Sequence, residues 1–185
     1  KEVYTYDCAK FKRNEEGAIC VPMGIFDNPN RQLQAQVDLN ISEGNTFILG
    51  ASQFGKTGML QTIIRGLAQN YKPEEVNIYI LDFASMALKV FSELKHVGGV
   101  VVSTEDERIK LFFKMMRKEV AERKEKFSNM GITSYQSYLE AGYRDLPQIV
   151  IMLDNMAAFR ELCEGYVDVL LDLCREGSAI GISIV

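Results

Sequence analysis

A short β-rich apolar segment, Thr46-Phe47-Ile48-Leu49, runs into Gly50-Ala51-Ser52-Gln53-Phe54-Gly55-Lys56-Thr57. Apolar residues then recur at helical spacing through Met59, Leu60, Ile63, Ile64 and Leu67. The eight central residues satisfy the pattern GxxxxGK[ST], and the flanks supply the strand and helix that give the pattern its meaning. A tight loop that ends on a helix N-terminus aims several backbone N–H groups at one point and so makes an anion site. Glycine at positions 50 and 55 lets the backbone turn tightly and approach phosphates. The expected nucleotide-binding residues are Gly50, Ala51, Ser52, Gln53, Phe54, Gly55, Lys56, Thr57 and Gly58. In this reading the Lys56 ammonium reaches the β- and γ-phosphates and the Thr57 hydroxyl ligates the metal, so ATP and Mg²⁺ are the expected cofactors.

The rest of the chain has the pattern such a loop requires. Val76 to Leu81, ending in Asp82, reads as a buried parallel strand, as does Ile149 to Leu153, ending in Asp154. Val97 to Val102 is a third short strand and Ile180 to Val185 a fourth. Between them the spacing predicts a short helix at Val90–Leu94 and a long one from a capping box at Thr104 and Glu107 to about Met130. A shorter helix over Ser134–Ala141 and one continuous helix over Ala157–Arg175 complete the set. Strands alternating with helices imply an α/β fold, a parallel sheet with helices on both faces. Residues 1–45 read as a lead-in of short strands and turns, with Tyr4, Tyr6 and Phe11 on a strand edge and a turn at Glu15-Glu16-Gly17. Gln36 to Ile41 alternates like a half-exposed strand, and Ser42-Glu43-Gly44-Asn45 is a turn.

The net charge of −4 gives no strongly basic footprint for nucleic acid. On the long helix, Asp106–Lys110, Glu119–Arg123 and Glu122–Lys126 have (i, i+4) spacing, so Arg117, Lys118, Arg123 and Lys124 read as a solvated, salt-bridged surface rather than a polyanion site. No apolar run approaches the roughly 18 residues that span a bilayer. The four cysteines, Cys8, Cys20, Cys163 and Cys174, form no CxxC pair. Cys163 and Cys174, on one expected helix, would lie roughly 16 Å apart, too far for a disulfide. Reduced, mostly buried thiols and a cytosolic setting follow. The chain starts without an initiator Met and stops inside an apolar strand pattern, so it reads as a fragment whose last strands are missing.

A phosphate loop needs a carboxylate partner for the metal. Asp154 has the Walker B position, at the C-terminal edge of a buried strand, where ligands bind in open α/β sheets. Thr57 and Asp154 are therefore the expected metal residues, with Asp82 a rival that also ends a strand. Position 155, where many such ATPases carry the glutamate that activates water, is Asn155. An amide orients a water but does not take its proton. A general base is worth about 10²–10⁴-fold, so binding is expected to survive while hydrolysis is slow or absent. No residue is assigned as catalytic with certainty.

Taken together, these residues resemble the FtsK/SpoIIIE group of P-loop motor ATPases. The resemblance rests on Val21-Pro22-Met23-Gly24, the loop itself, Leu81-Asp82-Phe83 and Glu93-Leu94-Lys95-His96-Val97. It continues through Glu105-Asp106-Glu107-Arg108, the stretch Glu122 to Phe127, Leu146-Pro147 and the Asp154 strand. Within the group the chain looks most like a late ATPase domain of EssC/EccC, the membrane-anchored motor of type VII secretion. The resemblance implies one FtsK-type domain over residues 1–185, cut from a larger multidomain protein, with 46–185 as the P-loop core. It implies a role in recognising and exporting small helical WXG-type substrates, with neighbouring ATPase domains and a hexameric parent as partners. It also implies a cytoplasmic location on a bacterial plasma membrane protein. Phe83-Ala84-Ser85-Met86 stands where the group often has lysine and glycine. That departure and Asn155 favour a nucleotide-binding regulatory domain over a DNA-translocating motor, the alternative; a docking module that binds no nucleotide is the third reading. His96 is expected to pack or cap a loop, and Met115, Met116 and Met130 to serve packing.

Overall fold

The apolar runs that end on carboxylates form the middle of a parallel sheet. The computed structural model describes residues 18–185, so the expectations for Tyr4, Tyr6, Cys8, Phe11 and the turn at 15–17 lie outside the described residues. The described chain begins with β1 (Cys20–Asn28) and β2 (Leu33–Asn40), an antiparallel ribbon turned by a short 3₁₀ segment, Pro29–Arg31. The loop motif then leads into α1 (Lys56–Asn70). β3 (Val76–Asp82), β4 (Val97–Val102), α2 (Asp106–Met130) and α3 (Tyr135–Glu140) follow. β5 (Gln148–Asp154), α4 (Met156–Leu162), α5 (Glu164–Glu176) and β6 (Ile182–Ile184) end it.

The sheet order is β4-β3-β5-β6, with all three pairings parallel. Side chains alternate between two cores as strand pleating requires. Leu81, Ile149, Ile151 and Ile182 face a layer built from α2, α3, α4 and α5. Val76, Ile78, Ile80, Val150 and Met152 face α1 and the ribbon. The expected fold class, a P-loop parallel sheet with helices on both faces, is the one observed. The ribbon sits close on α1: a Cβ added to Gly66 would lie 2.5 Å from Val21 Cγ1. The Tyr71 hydroxyl accepts from the Cys20 N–H and donates to the Cys20 carbonyl, at 2.7 and 2.9 Å.

Several local expectations are corrected. Thr46–Leu49 does not form a strand: its backbone makes one bond to β6, Thr46 N–H to the Ile184 carbonyl at 2.8 Å. Without a second ladder or a covering layer among the described residues, Phe47 and Leu49 are 73% and 81% exposed. The expected helix at Val90–Leu94 is a 3₁₀ turn at Lys89–Phe91. The expected capping box is absent; Glu105 is the N-cap residue, and its carboxylate reaches back to the Val102 N–H at 3.1 Å and pairs with Arg108. The single helix over 157–175 is two helices broken at Cys163, whose ψ of 38° leaves the helical range. Cys20, Cys163 and Cys174 are free thiols, the first two buried.

Arg123 departs furthest from its expectation. It pairs with Glu119 at 2.8 Å as the spacing predicts, yet its side chain is only 2% exposed. The guanidinium crosses beneath the sheet and donates to the carbonyls of Pro147, Ile180 and Gly181 at 2.8, 3.0 and 3.3 Å. Lys126 pairs with Asp145 and Glu122 with Lys118, and Asp106 and Lys110 form no ion pair with each other. His96 is buried and donates from Nε2 to the Tyr71 carbonyl at 2.9 Å, a loop-capping role. Met116 is in the core, Met130 packs against it and Met115 is 38% exposed.

Candidate functional site

The loop between Gly50 and Gly55 needs left-handed backbone at two places, Gln53 at φ 65° and Gly55 at φ 82°. Gly55 is the N-cap of α1, and glycine takes that conformation without steric cost. Met59 N–H is the first in the helix to find its acceptor, the Gly55 carbonyl at 2.9 Å. The N–H groups upstream of it in the first turn have no intrahelical partner and face the loop. Lys56 folds back over the loop, its ammonium donating to the carbonyls of Gly50 and Ala51, both at 2.8 Å. Positive charge and free donors therefore converge on the concavity between residue 50 and α1.

The sheet delivers the carboxylate from the other side. β3 and β5 pair in register to their last residues, so Asp82 and Asp154 stand side by side at the C-terminal edge. Their surroundings differ. Asp82 is buried and saturated by backbone: Oδ1 accepts from Ala84 and Met86 N–H at 3.1 and 3.2 Å, and Oδ2 from Leu88 N–H at 3.0 Å. It anchors the loop after β3. Asp154 is buried beside α1, and its Oδ2 accepts from the Thr57 hydroxyl at 2.7 Å. The structure thus brings Lys56, Thr57 and Asp154 together and turns Asp82 away.

Asn155 takes φ 73°, ψ 71°, a left-handed corner between β5 and α4. Its Oδ1 accepts from Ala158 N–H at 3.2 Å and its Nδ2 donates to the Phe83 carbonyl at 3.3 Å. Sequence reasoning weighed this residue only as a missing acid. Its position directly before a helix pattern is an N-cap signature that could have shown the other role. Glu161 and Glu164 line a separate hollow with Arg160 and Asp168, and neither lines the cavity at the loop. A cavity of about 420 Å³ opens at the loop, with Gly50, Lys56, Asp154 and Asn155 at its polar end and Leu170 and Val185 at its apolar end.

The donor set fits Mg²⁺ chemistry. A hydroxyl and a carboxylate are hard oxygen ligands, and Mg²⁺ is usually held by one or two protein oxygens, phosphates and water. Among the described residues no group of three or more His, Cys, Asp or Glu converges into a protein-only metal cage.

A glycine loop opening a helix, beside a strand-end aspartate on a parallel sheet, defines a P-loop NTPase. The model of the FtsK/SpoIIIE family matches residues 6–173, and the chain belongs to that family. It is 27% identical over 165 residues to the ESX secretion system protein EccC of Geobacillus thermodenitrificans, covering 89% of this chain and 11% of that protein. The solved EssC ATPases 2 and 3 of the same organism superpose with a TM-score of 0.81 at 28% identity, covering 89% of this chain and 32% of that one. Thermomonospora curvata EccC ATPases 2 and 3, solved with a signal sequence peptide, give 0.82 at 30% identity, covering 91% and 32%. No helix among the described residues is long and apolar enough to cross a membrane.

Proposed function

We propose that this chain is an ATP-binding, weakly hydrolysing domain of a type VII secretion ATPase of the EssC/EccC kind. The contact of the Thr57 hydroxyl with Asp154, beside a loop closed over by Lys56, carries the reading. When bound, Mg·ATP supplies a charged polyphosphate whose binding state a motor domain couples to its neighbours. Lys56 would exchange its loop carbonyls for phosphate oxygens, and the first-turn N–H groups of α1 would receive the remaining phosphate charge. Thr57 and Asp154 would hold the metal. Residue 155 offers no carboxylate to take a proton from water, which keeps turnover low. The similarity to a solved EssC fragment that carries ATPases 2 and 3 supports further ATPase domains as neighbours. We place these in a parent protein anchored at a bacterial plasma membrane and assembling as a hexamer. The signal peptide bound to the Thermomonospora protein supports recognition of small helical WXG-type secreted substrates through a short export signal.

Thermal denaturation of the 185-residue chain with Mg·ATP tests the first part. Near 100 Kd, binding adds about 2.7 kcal/mol to stability, roughly 5–10 °C in Tm for a domain of this size. Lys56→Ala should abolish the shift. A wild type that shows no shift refutes the reading, and so does steady-state turnover well above that of Lys56→Ala.

A further inference from the structure

We propose that Asn155 is a positioning residue that aims the Asp154 carboxylate at the metal site, not the remnant of a lost base. β5 ends at Asp154 and α4 begins at Met156, so Asn155 alone makes the corner between them. The direction of the Asp154 side chain is set by how that corner is held. Three contacts hold it. Phe83 N–H donates to the Asp154 carbonyl at 3.1 Å. The Asn155 amide donates back to the Phe83 carbonyl at 3.3 Å, closing a ring between the two strand ends. Its other end caps α4 through Ala158 N–H. Phe83 is itself fixed, because its neighbour Asp82 binds the loop that follows through three N–H groups. The left-handed corner selects asparagine, one of few non-glycine residues at ease there.

Both ends of the amide are therefore engaged with protein, Oδ1 with Ala158 N–H and Nδ2 with the Phe83 carbonyl. A glutamate here has no donor for Phe83, a poor backbone fit and one more methylene than the cap geometry accommodates. The substitution that looks like a repair would loosen Asp154 instead. The inference rests on the Mg·nucleotide reading above.

Calorimetric titration of the 185-residue chain with ATP, in Mg²⁺ and in EDTA, separates the two. The wild type should bind more tightly with Mg²⁺. Asn155→Gly keeps the backbone conformation and removes both amide bonds. It should reduce the Mg²⁺-dependent gain by about 10–100-fold, the usual effect of losing a group that orients a ligand, and leave affinity in EDTA unchanged. A purely structural role would lower Tm without changing that ratio. Asn155→Glu should show the same loss and no turnover above Lys56→Ala. A wild-type Mg²⁺ gain in Asn155→Gly overturns the positioning role and leaves the nucleotide reading standing. Faster ATP turnover by Asn155→Glu than by the wild type overturns it equally. A wild type that binds no Mg·ATP defeats the nucleotide reading itself, and the positioning role with it.

Discussion

Replacing Arg123 with alanine should be among the most destabilising changes available outside the apolar core. The guanidinium is nearly inaccessible and makes four hydrogen bonds, one to Glu119 and three to backbone carbonyls. The Gly181 carbonyl keeps a second partner, Ile149 N–H at 2.8 Å. The Pro147 and Ile180 carbonyls lose the bond the guanidinium gave them, and each buried group left unsatisfied costs about 1–3 kcal/mol. Two such carbonyls set the loss at roughly 3–5 kcal/mol, and the Glu119 carboxylate, 30% exposed, returns to water at little cost. For a chain of this size that is roughly 6–20 °C in Tm. Urea denaturation by circular dichroism, with the m-value checked for constancy, measures it directly. Arg123→Lys should fall between wild type and alanine, since one ammonium cannot reproduce the planar fork. Nucleotide affinity should stay unchanged, because Pro147, the residue before β5, and Asp154, the last of β5, lie about 20 Å apart. A loss below about 1 kcal/mol, or a change in ATP affinity with the fold intact, would refute the argument.

Gly66→Ala should cost about 1–3 kcal/mol by overpacking, since the new methyl meets Val21 Cγ1 at 2.5 Å and Val21 has no exposed direction in which to move; thermal denaturation reads it. Gln148→Leu should cost more than its volume suggests. It breaks a buried network in which Gln148 accepts from Ser42 and donates to Ser183 and the Ile41 carbonyl, and Ser42→Ala in the same background should then add little. Glu105 has its pKa lowered from 4.5 by the Val102 N–H and then by Arg108. A lowered carboxylate pKa stabilises above the unfolded value and is lost as pH falls through the folded one. Acid titration of stability should therefore show a drop below about pH 4.5 that Glu105→Gln flattens.

The sheet was readable because buried parallel strands are near-continuous apolar runs, and Val76–Asp82, Val97–Val102 and Gln148–Asp154 sit within a residue of where those runs lie. The long helix was readable from its spacing and from Gly131, which ends it at φ 67°. Three features depended on partners distant in sequence. Arg123 has the same (i, i+4) spacing to Glu119 as any solvated pair, and only the carbonyls of Pro147 and Ile180 make it an internal residue. Cys163 interrupts a helical pattern whose one glycine, Gly165, falls two residues past the break, inside the second helix. Thr46–Leu49 has strand composition but a single backbone bond to β6. At the candidate site, Lys56, Thr57 and Asp154 were named from the motifs, and the structure adds their contacts. The two roles of the Asn155 amide were not visible, because one partner, Phe83, is 72 residues away.

That separation also bears on how the molecule reaches its fold. The order β4-β3-β5-β6 puts its least local pairing, β3 with β5, at the centre of the sheet. The β1–β2 ribbon and the β3–β4 unit form from neighbouring sequence. β5 must find β3 after α2 and α3 have been made, and loops of this length lose entropy before any contact rewards them. Until then Ile149-Val150-Ile151-Met152-Leu153 is an uncovered apolar strand beside an open sheet edge, the arrangement most prone to pair with another chain. Aggregation during refolding should therefore be governed by the lifetime of the unpaired β5, and it should rise with variants that slow the docking of α2 beneath it.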